Sequence, residues 1–497
     1  MMNFVIGIDI GTSGLKSIVV NKKGEVVDSH SISYKTEHPQ SGYSEMDPNI
    51  WYKATLDSLN HLLSKFDKET ISGISFSGQM HGLVVVDEDG KSIRPAILWN
   101  DTRTSQEVED IKQAIGIETL LKHTQNTVLE GFTLPKLMWL KAHEPENYNK
   151  IHKFMLPKDY VVYKLTGNIY TEPSDAAGTI MYNIKSEKWS KEILNQLNID
   201  SKICPDVIAS HDRSGTLTKD IKEKLNIDWE INVYQGGADN ACGALGSGIT
   251  DETKQLVSIG TSGVALSIEN SANYENDGNM HYFSHCVPNQ KYVMGVTLSA
   301  GYSLEWLKQL IEPSEDFNTF LQDISKSKLG SNGLMYTPYL LGERTPYNDA
   351  SIRGSFIGLD ANTTQLDMKR SVLEGITYSI NESIEIMRSK DIDIKEIVSI
   401  GGSAKNAEWL QIQADVFNVP ITTRTEEQGP AYGAAMLAAM GEQWFNSFND
   451  MNETWINYRE HVSPISSHTE SYEKLFNIYK LIYTATQPIT KGLTQFK

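Results

Sequence analysis

Cysteine is scarce in this chain. Cys204, Cys242 and Cys286 are its only three, scattered and without a Cys-x-x-Cys pair. That excludes a disulfide framework and a thiolate zinc site, and it suits a reducing compartment. Basic charge is also short. The 45 Lys and Arg against 63 Asp and Glu leave a formal −18 at pH 7, so a nucleic-acid partner would find no basic surface. No apolar run reaches the length needed to span a bilayer. The apolar start meets a polar turn by Asp9, too soon for a secretory signal, so the expected location is the cytoplasm with no membrane partner. Low-complexity linkers are missing as well. What remains is 497 residues, 39% hydrophobic and 22% charged, ordinary for a globular protein and too long for one core. Two large domains are expected.

One short turn occurs twice, half the chain apart. Val5 to Gly14 contains Ile10-Gly11-Thr12-Ser13-Gly14, and Leu256 to Gly263 contains Ile259-Gly260-Thr261-Ser262-Gly263. Each copy lies between two apolar strands. A hairpin tip of this kind offers backbone N–H groups and two hydroxyls to phosphate oxygens. Asp9 in the first copy stands where the second has Ser258, so only the first brings a carboxylate that could attract magnesium. Two facing phosphate turns imply an ATP cleft between related domains. A P-loop is excluded, because the spacing before Lys16-Ser17 is wrong and a strand follows.

Other strands end in polar clusters. Gly73 to Ser77 stops at Gly78-Gln79-Met80-His81-Gly82, and Ile97 to Trp99 runs into Asn100-Asp101-Thr102-Arg103. Such clusters suit a polyol, which needs a donor and an acceptor for each hydroxyl, although a lone His81 is more often a satisfied structural histidine. Ile231 to Gln235 leads through Gly236-Gly237 to Asp239-Asn240 at a helix start, where Asp239 is either a helix cap or a site carboxylate. Gly401-Gly402-Ser403 suits an adenosine approach or a plain tight turn, and Glu343-Arg344 a surface or interdomain ion pair. Helices are expected over Asp47 to Leu63, Asp367 to Met387, Ala407 to Phe417, Gly429 to Met440 and Ser471 to Thr484, with Ser105 to Asn195 mostly helical and a strand over Leu334 to Leu340.

In this order, the segments resemble the FGGY carbohydrate kinases of the actin, hexokinase and heat-shock ATPase superfamily, over residues 4–445. The resemblance rests on the first turn, Gly78 to Gly82, Ile97 to Arg103, Leu156 to Tyr160, Ser174 to Thr179, Gly236 to Asn240, Gly342 to Pro346, and the run from Gly354 through Glu374. Ala142 departs where a polar residue is usual, and Ser403 stands where many relatives have a third glycine.

The resemblance implies an α/β fold of two actin/hexokinase-like (ribonuclease H-like) domains, each with a mixed central sheet, flanking an ATP/sugar cleft. Residues 1–246 would form the sugar- and phosphate-binding domain and 247–497 the nucleotide-binding domain. Asp239 would be the general base, and Asp9 would sit by Mg2+ and the transferring phosphoryl group. Thr12, Ser13 and Thr261 would hold phosphate oxygens. Gly402, Ser403, Asn406 and Trp306 would line the nucleotide. Met80, His81, Asn100, Arg103, Asp239 and Asn240 would contact the sugar. Gln79-Met80-His81 together with Trp99 to Arg103 points to D-xylulose, with ribulose or another ketose or polyol as the alternative, and a non-catalytic sugar-sensing ATPase behind both. ATP and Mg2+ are the implied cofactors and a second copy of the chain the candidate partner.

Overall fold

The computed structural model describes residues 3–66, 70–271, 274–459 and 461–496. Each copy of the turn starts a sheet. In the first, β1 (Phe4–Ile10) and β2 (Gly14–Asn21) make the hairpin and β3 (Val26–Ser33) continues it antiparallel. On the other side of β1 lies β4 (Ile71–Gly78), parallel to it. β5 (Arg213–Thr216) and β6 (Asn232–Tyr234) extend the sheet to the order β5-β6-β4-β1-β2-β3, and β7 (Gly237–Ala238) also pairs with β4.

The second sheet repeats the plan. β8 (Gln255–Ile259) and β9 (Gly263–Ile268) form its hairpin, with β10 (His281–Ser284) and β11 (Lys291–Thr297) antiparallel beyond β9. β12 (Ile397–Gly401) runs parallel to β8, and β13 (Ile421–Thr423) follows it, giving β10-β11-β9-β8-β12-β13. In both sheets the hairpin's first strand has an antiparallel neighbour on one side and a parallel one on the other. This is the mixed, duplicated α/β architecture expected from the sequence.

Alternation along β1 assigns its two faces. Ile6, Ile8 and Ile10 are fully buried in an apolar layer shared with Trp51, Leu59 and Leu62 of α1 (Pro48–Leu63). Asp47 caps α1 through its side chain, and Pro48 fills the first turn. Val5, Gly7 and Asp9 face the other way, toward α4 (Pro430–Gly441), which in turn packs on α2 (Asp239–Gly246), while α3 (Ala300–Ile311) lies beside the second turn. α4, from late in the chain, packs on β1, β2 and β4 of the first sheet as well as on α2. Its approach needs glycine: a Cβ on Gly7 would lie 2.0 Å from the Ala431 carbonyl oxygen, and one on Gly433 1.9 Å from that of Cys242.

Three local expectations shift. The strand over 334–340 shortens to Met335–Thr337, the last helix lengthens to Ser466–Leu493, and the mostly helical stretch contains short strands such as Lys153–Met155. Exposed Leu481 and Ile489 blur the apolar periodicity of that last helix, which hid its true end. No helix among the described residues is long and apolar enough to cross a membrane.

Candidate active site

The carboxyl ends of β1, β4 and β7 meet at one edge of the first sheet. Register pairs Ser77 with Asp9 on one side and with Gly237 on the other, so Asp9 and the chain leading into Asp239 flank the same residue. Gly236 has a φ of 85° and lies so close to β4 that a Cβ would stand 1.9 Å from the Phe76 carbonyl oxygen. Only glycine allows that turn, and the turn delivers Asp239 to the first position of α2.

Asp239 is not the helix cap. The N-cap is Ala238, without a side-chain bond, while Asp239 Oδ1 accepts from the Asn240 backbone N–H at 2.7 Å. Burial, and then the negative charge of Asp9, push the Asp239 carboxyl up to about 7. Burial likewise raises Asp9 to about 6, against the Ser77 hydroxyl and the charge of Lys16. Asp9 Oδ1 is buried without a hydrogen-bond partner. No group of three or more His, Cys, Asp or Glu among the described residues could hold a metal. A cation at Asp9 would therefore draw most of its ligands from phosphate oxygens and water, which is how magnesium usually binds.

Asp239 opens onto a cavity of about 230 Å³. Drug-sized pockets run to roughly 300–1,000 Å³, so this one is of a size that suits a small polyol. Met80, His81, Trp99, Phe132 and Asn240 line it from the first half of the chain, and Ser262, His281, Phe283, Met294 and Arg344 from the second. His281 and Phe283 stack at 5.7 Å, and Phe132 meets His81 edge-on at 4.8 Å, forming an aromatic wall across the two halves.

His81 sits at φ 69°, a conformation that costs energy for a non-glycine residue. Its carbonyl is held there by Thr133 Oγ1 at 3.1 Å and by Lys136 Nζ at 3.2 Å. Lys136, on helix Thr133–His143, is wholly buried and also donates to Phe132 O at 3.0 Å. Burial brings its ammonium down to about 7. The His81 ring donates from Nδ1 to Gly178 O at 2.8 Å, which leaves Nε2 as an acceptor. Burial depresses its pKa to about 3, so the ring is neutral at pH 7 and can receive a hydroxyl hydrogen.

The two turns are braced differently. In the first, Thr12 Oγ1 donates to Gln79 Oε1 at 3.2 Å and accepts from Trp99 Nε1 at 2.9 Å, and Tyr34 OH donates to Gly11 O at 2.8 Å. Ser13 stays exposed. In the second, Gly301 N and Tyr302 N of α3 donate to Gly260 O and Thr261 O at 2.9 and 3.1 Å. Thr261 and Ser262 are exposed. Gly402 is exposed just past β12, whose Gly401 pairs with Ile259 beside the second turn. Lys16 Nζ reaches across to Gln428 O and Oε1 at 3.1 and 3.0 Å.

Several expected contacts lie elsewhere. Arg103 does not reach the cavity, because its guanidinium bonds Asp101 and Glu45 and lies 3.6 Å from the Tyr43 ring centroid. Asn100 is exposed in the loop beyond Trp99 and does not line the cavity. Ser403 is fully buried, Asn406 Oδ1 caps helix Ala407–Phe417 by accepting from Trp409 N at 2.9 Å, and Trp306 stacks on Tyr336 and Phe356. What this corner offers a nucleotide is thus chiefly the backbone at Gly401-Gly402. Glu343 and Arg344 are no surface pair. Glu343 is buried and accepts from Leu298 N, Arg344 N and Ser379 Oγ, while the Arg344 guanidinium has no hydrogen-bond or ion-pair partner among the described residues and faces the cavity. His281, Phe283 and Met294 line the cavity without any expectation from the sequence, and Arg344 lines it where a surface or interdomain ion pair was expected.

The N-terminal-domain model of the FGGY family of carbohydrate kinases matches residues 4–246, and its C-terminal-domain model matches residues 256–442. The chain is 74% identical over 482 residues to a xylulose kinase of Staphylococcus xylosus, covering 97% of this chain and 100% of that protein. It is 47% identical over 498 residues to a xylulose kinase of Bacillus subtilis, covering 100% of both. Among solved structures, a ligand-bound xylulose kinase from Lactobacillus acidophilus superposes with a TM-score of 0.92 at 27% identity, covering 98% of each chain. A gluconate kinase from the same organism gives 0.93 at 26%, covering 100% of each.

Proposed function

The chain belongs to the FGGY family of carbohydrate kinases, and from there we propose that it transfers the γ-phosphoryl group of ATP to D-xylulose in the cytoplasm, giving D-xylulose 5-phosphate and ADP. The observation that carries this reading is a small polar-aromatic cavity opening on a carboxyl raised to about 7, with the exposed phosphate-type turn represented in the same lining by Ser262. A base poised near neutral pH is matched to taking a hydroxyl proton. Asp239 accepts that proton as the terminal oxygen of the sugar attacks phosphorus. Asn240, His81 Nε2 and Arg344 orient the remaining oxygens, and the Phe132, His281 and Phe283 wall excludes water that would otherwise compete as the nucleophile. Bound at Asp9, Mg2+ would neutralise charge on the phosphate oxygens. Thr12, Ser13, Thr261 and the Gly401-Gly402 backbone hold the nucleotide side. The first sheet with α4 docked on it, and the second sheet, act as two bodies closing about the cavity.

Fold alone does not choose the sugar, since xylulose and gluconate kinases superpose about equally well. The 74% identity to a xylulose kinase favours the ketose. The unpaired Arg344 gives a sugar acid a specific second claim, because its guanidinium could hold a carboxylate. An ADP-release assay over D-xylulose, D-ribulose, D-gluconate and glycerol decides. D-xylulose is expected to lead in kcat/KM by about tenfold or more; a lead for gluconate overturns the assignment.

A further inference from the structure

Two of the three cysteines, far apart in sequence, meet across the halves of the chain beside the site. Cys242 lies on α2, the helix that begins with Asp239, and Cys286 follows β10 of the second sheet. Both are buried, and their thiols are within hydrogen-bonding reach of each other. They flank Gly237: a Cβ there would stand 2.9 Å from Cys286 Cβ and 3.0 Å from Cys242 Sγ. Glycine leaves the space between them clear. Cys286 Sγ also lies 3.9 Å from His285 Nδ1.

We propose that Cys242 and Cys286 are a redox-modification site, oxidised by a hydroperoxide to a disulfide that ties the two halves of the chain together and stops turnover. Their environments divide the roles. Burial pushes the Cys286 thiol up, but the hydrogen bond with Cys242 and the neighbouring His285 outweigh it and bring it below the ordinary thiol range. Burial and the shared hydrogen bond send Cys242 the other way. Cys286 is thus the attacking thiolate and Cys242 the resolving thiol. A crevice of about 210 Å³ between the halves gives access, lined by Tyr182 and Ser210 on one side and by Ser284, His285, Cys286 and Gln290 on the other.

The chemistry balances. Cys286 sulfur attacks one peroxide oxygen, the O–O bond breaks, and with hydrogen peroxide the leaving hydroxide takes a proton to become water. Cys242 sulfur then attacks the Cys286 sulfenic acid, the S–S bond forms, the S–O bond breaks, and a second water leaves. Two thiols are oxidised and one peroxide is reduced. The bridge would clamp the helix carrying Asp239 to the second sheet. That helix cannot slide to compensate, because Gly433 already rests on the Cys242 carbonyl. Opening for product release would then fail.

The test uses reduced, desalted full-length protein treated with a few-fold molar excess of hydrogen peroxide. Peptide mapping without reductant is expected to find Cys242 joined to Cys286, while Cys204, whose thiol burial pushes up to about 12, remains free. Phosphorylation of D-xylulose is expected to fall at least tenfold and to return with dithiothreitol. Cys286→Ser and Cys242→Ser should each keep the starting activity and lose the sensitivity. Absence of the linked peptide overturns the proposal. So does a linked protein of undiminished turnover, or equal peroxide sensitivity in both variants. The linked peptide is read without any substrate, and a wrong sugar would show as inactivity before peroxide is added.

Discussion

At the first turn, Gly11 N donates to Gly14 O at 3.0 Å and Ile10 pairs with Leu15, so the tip spans four residues. At the second, Gly260 N donates to Ser262 O at 3.0 Å and Ile259 pairs with Gly263, so the same pentapeptide closes over three. The shift changes what stands opposite the diagnostic position. Asp9 faces Lys16 across its hairpin, whereas Ser258 faces Val264. One turn is a charged site with its own counter-charge, tied down by Gln79, Trp99 and Tyr34. The other is a neutral, exposed tip held through its backbone by α3. Identical local sequence therefore yields two tools, and the neighbours on each sheet decide which.

The largest effects should come from the carboxylates of the first half. Asp239→Ala is expected to lower kcat by ~10²–10⁴-fold with little change in ATP affinity; activity within a few-fold of wild type would reduce Asp239 to a helix residue. Asp9→Asn should cost about 10²-fold or more in magnesium-dependent turnover. Adding Ser258→Asp should not restore it, because no lysine faces that position; a magnesium titration that shows rescue breaks the asymmetry.

A smaller effect probes the backbone bracing of the second turn. A Cβ on Gly301 would stand 2.3 Å from the Gly260 carbonyl oxygen. Gly301→Ala should raise the KM for ATP by about tenfold, or ~1.4 kcal/mol, and spare the KM for the sugar. Initial-rate measurements with each substrate varied would show it. An increase confined to the sugar would mean that the second turn does not serve the nucleotide.

The smallest effect is a pH limb. Asp239, raised to about 7 by burial and by the charge of Asp9, and Asp9, raised to about 6 by burial, both titrate close to neutral pH. Both must be ionised to act, so kcat/KM should fall as pH drops through 7, by up to about tenfold per unit between the two values and more steeply below both. Stability has the opposite sign. The folded state holds these protons more tightly than the unfolded chain, so folding weakens as pH rises from about 4 toward 7. Asp239→Asn should accordingly melt above wild type at pH 8 while being nearly inactive. A profile flat to pH 5.5 would contradict the shared desolvation.

Much of this was legible in the sequence because it rests on local signals. The turns, the strand leading through Gly236-Gly237 to Asp239, and Met80-His81 after β4 all lie at strand ends where backbone geometry is written in glycine and polar residues. Arg103 misled for a physical reason. A guanidinium two residues from a carboxylate bonds to it first, and nothing local announces that Tyr43 and Glu45 will arrive to complete the cage. The second-half lining stayed hidden because His281, Phe283 and Met294 sit in strands that read as ordinary core, and only the docking of two sheets turns them toward a ligand. The small-residue helix α4 was placed correctly as a helix, but its partner, the first sheet, could not be read from spacing.

That helix bears on how the sequence can drift. Where Gly7 meets Ala431 and Gly433 meets Cys242, main chain touches main chain, and no flexible side chain stands there to absorb an error. Elsewhere a core residue can be exchanged for one of similar volume and its neighbours repack. Here there is no volume to exchange. Divergence among descendants of this gene is free to remodel the cavity wall and so alter the sugar, while the seam behind it must be inherited letter by letter.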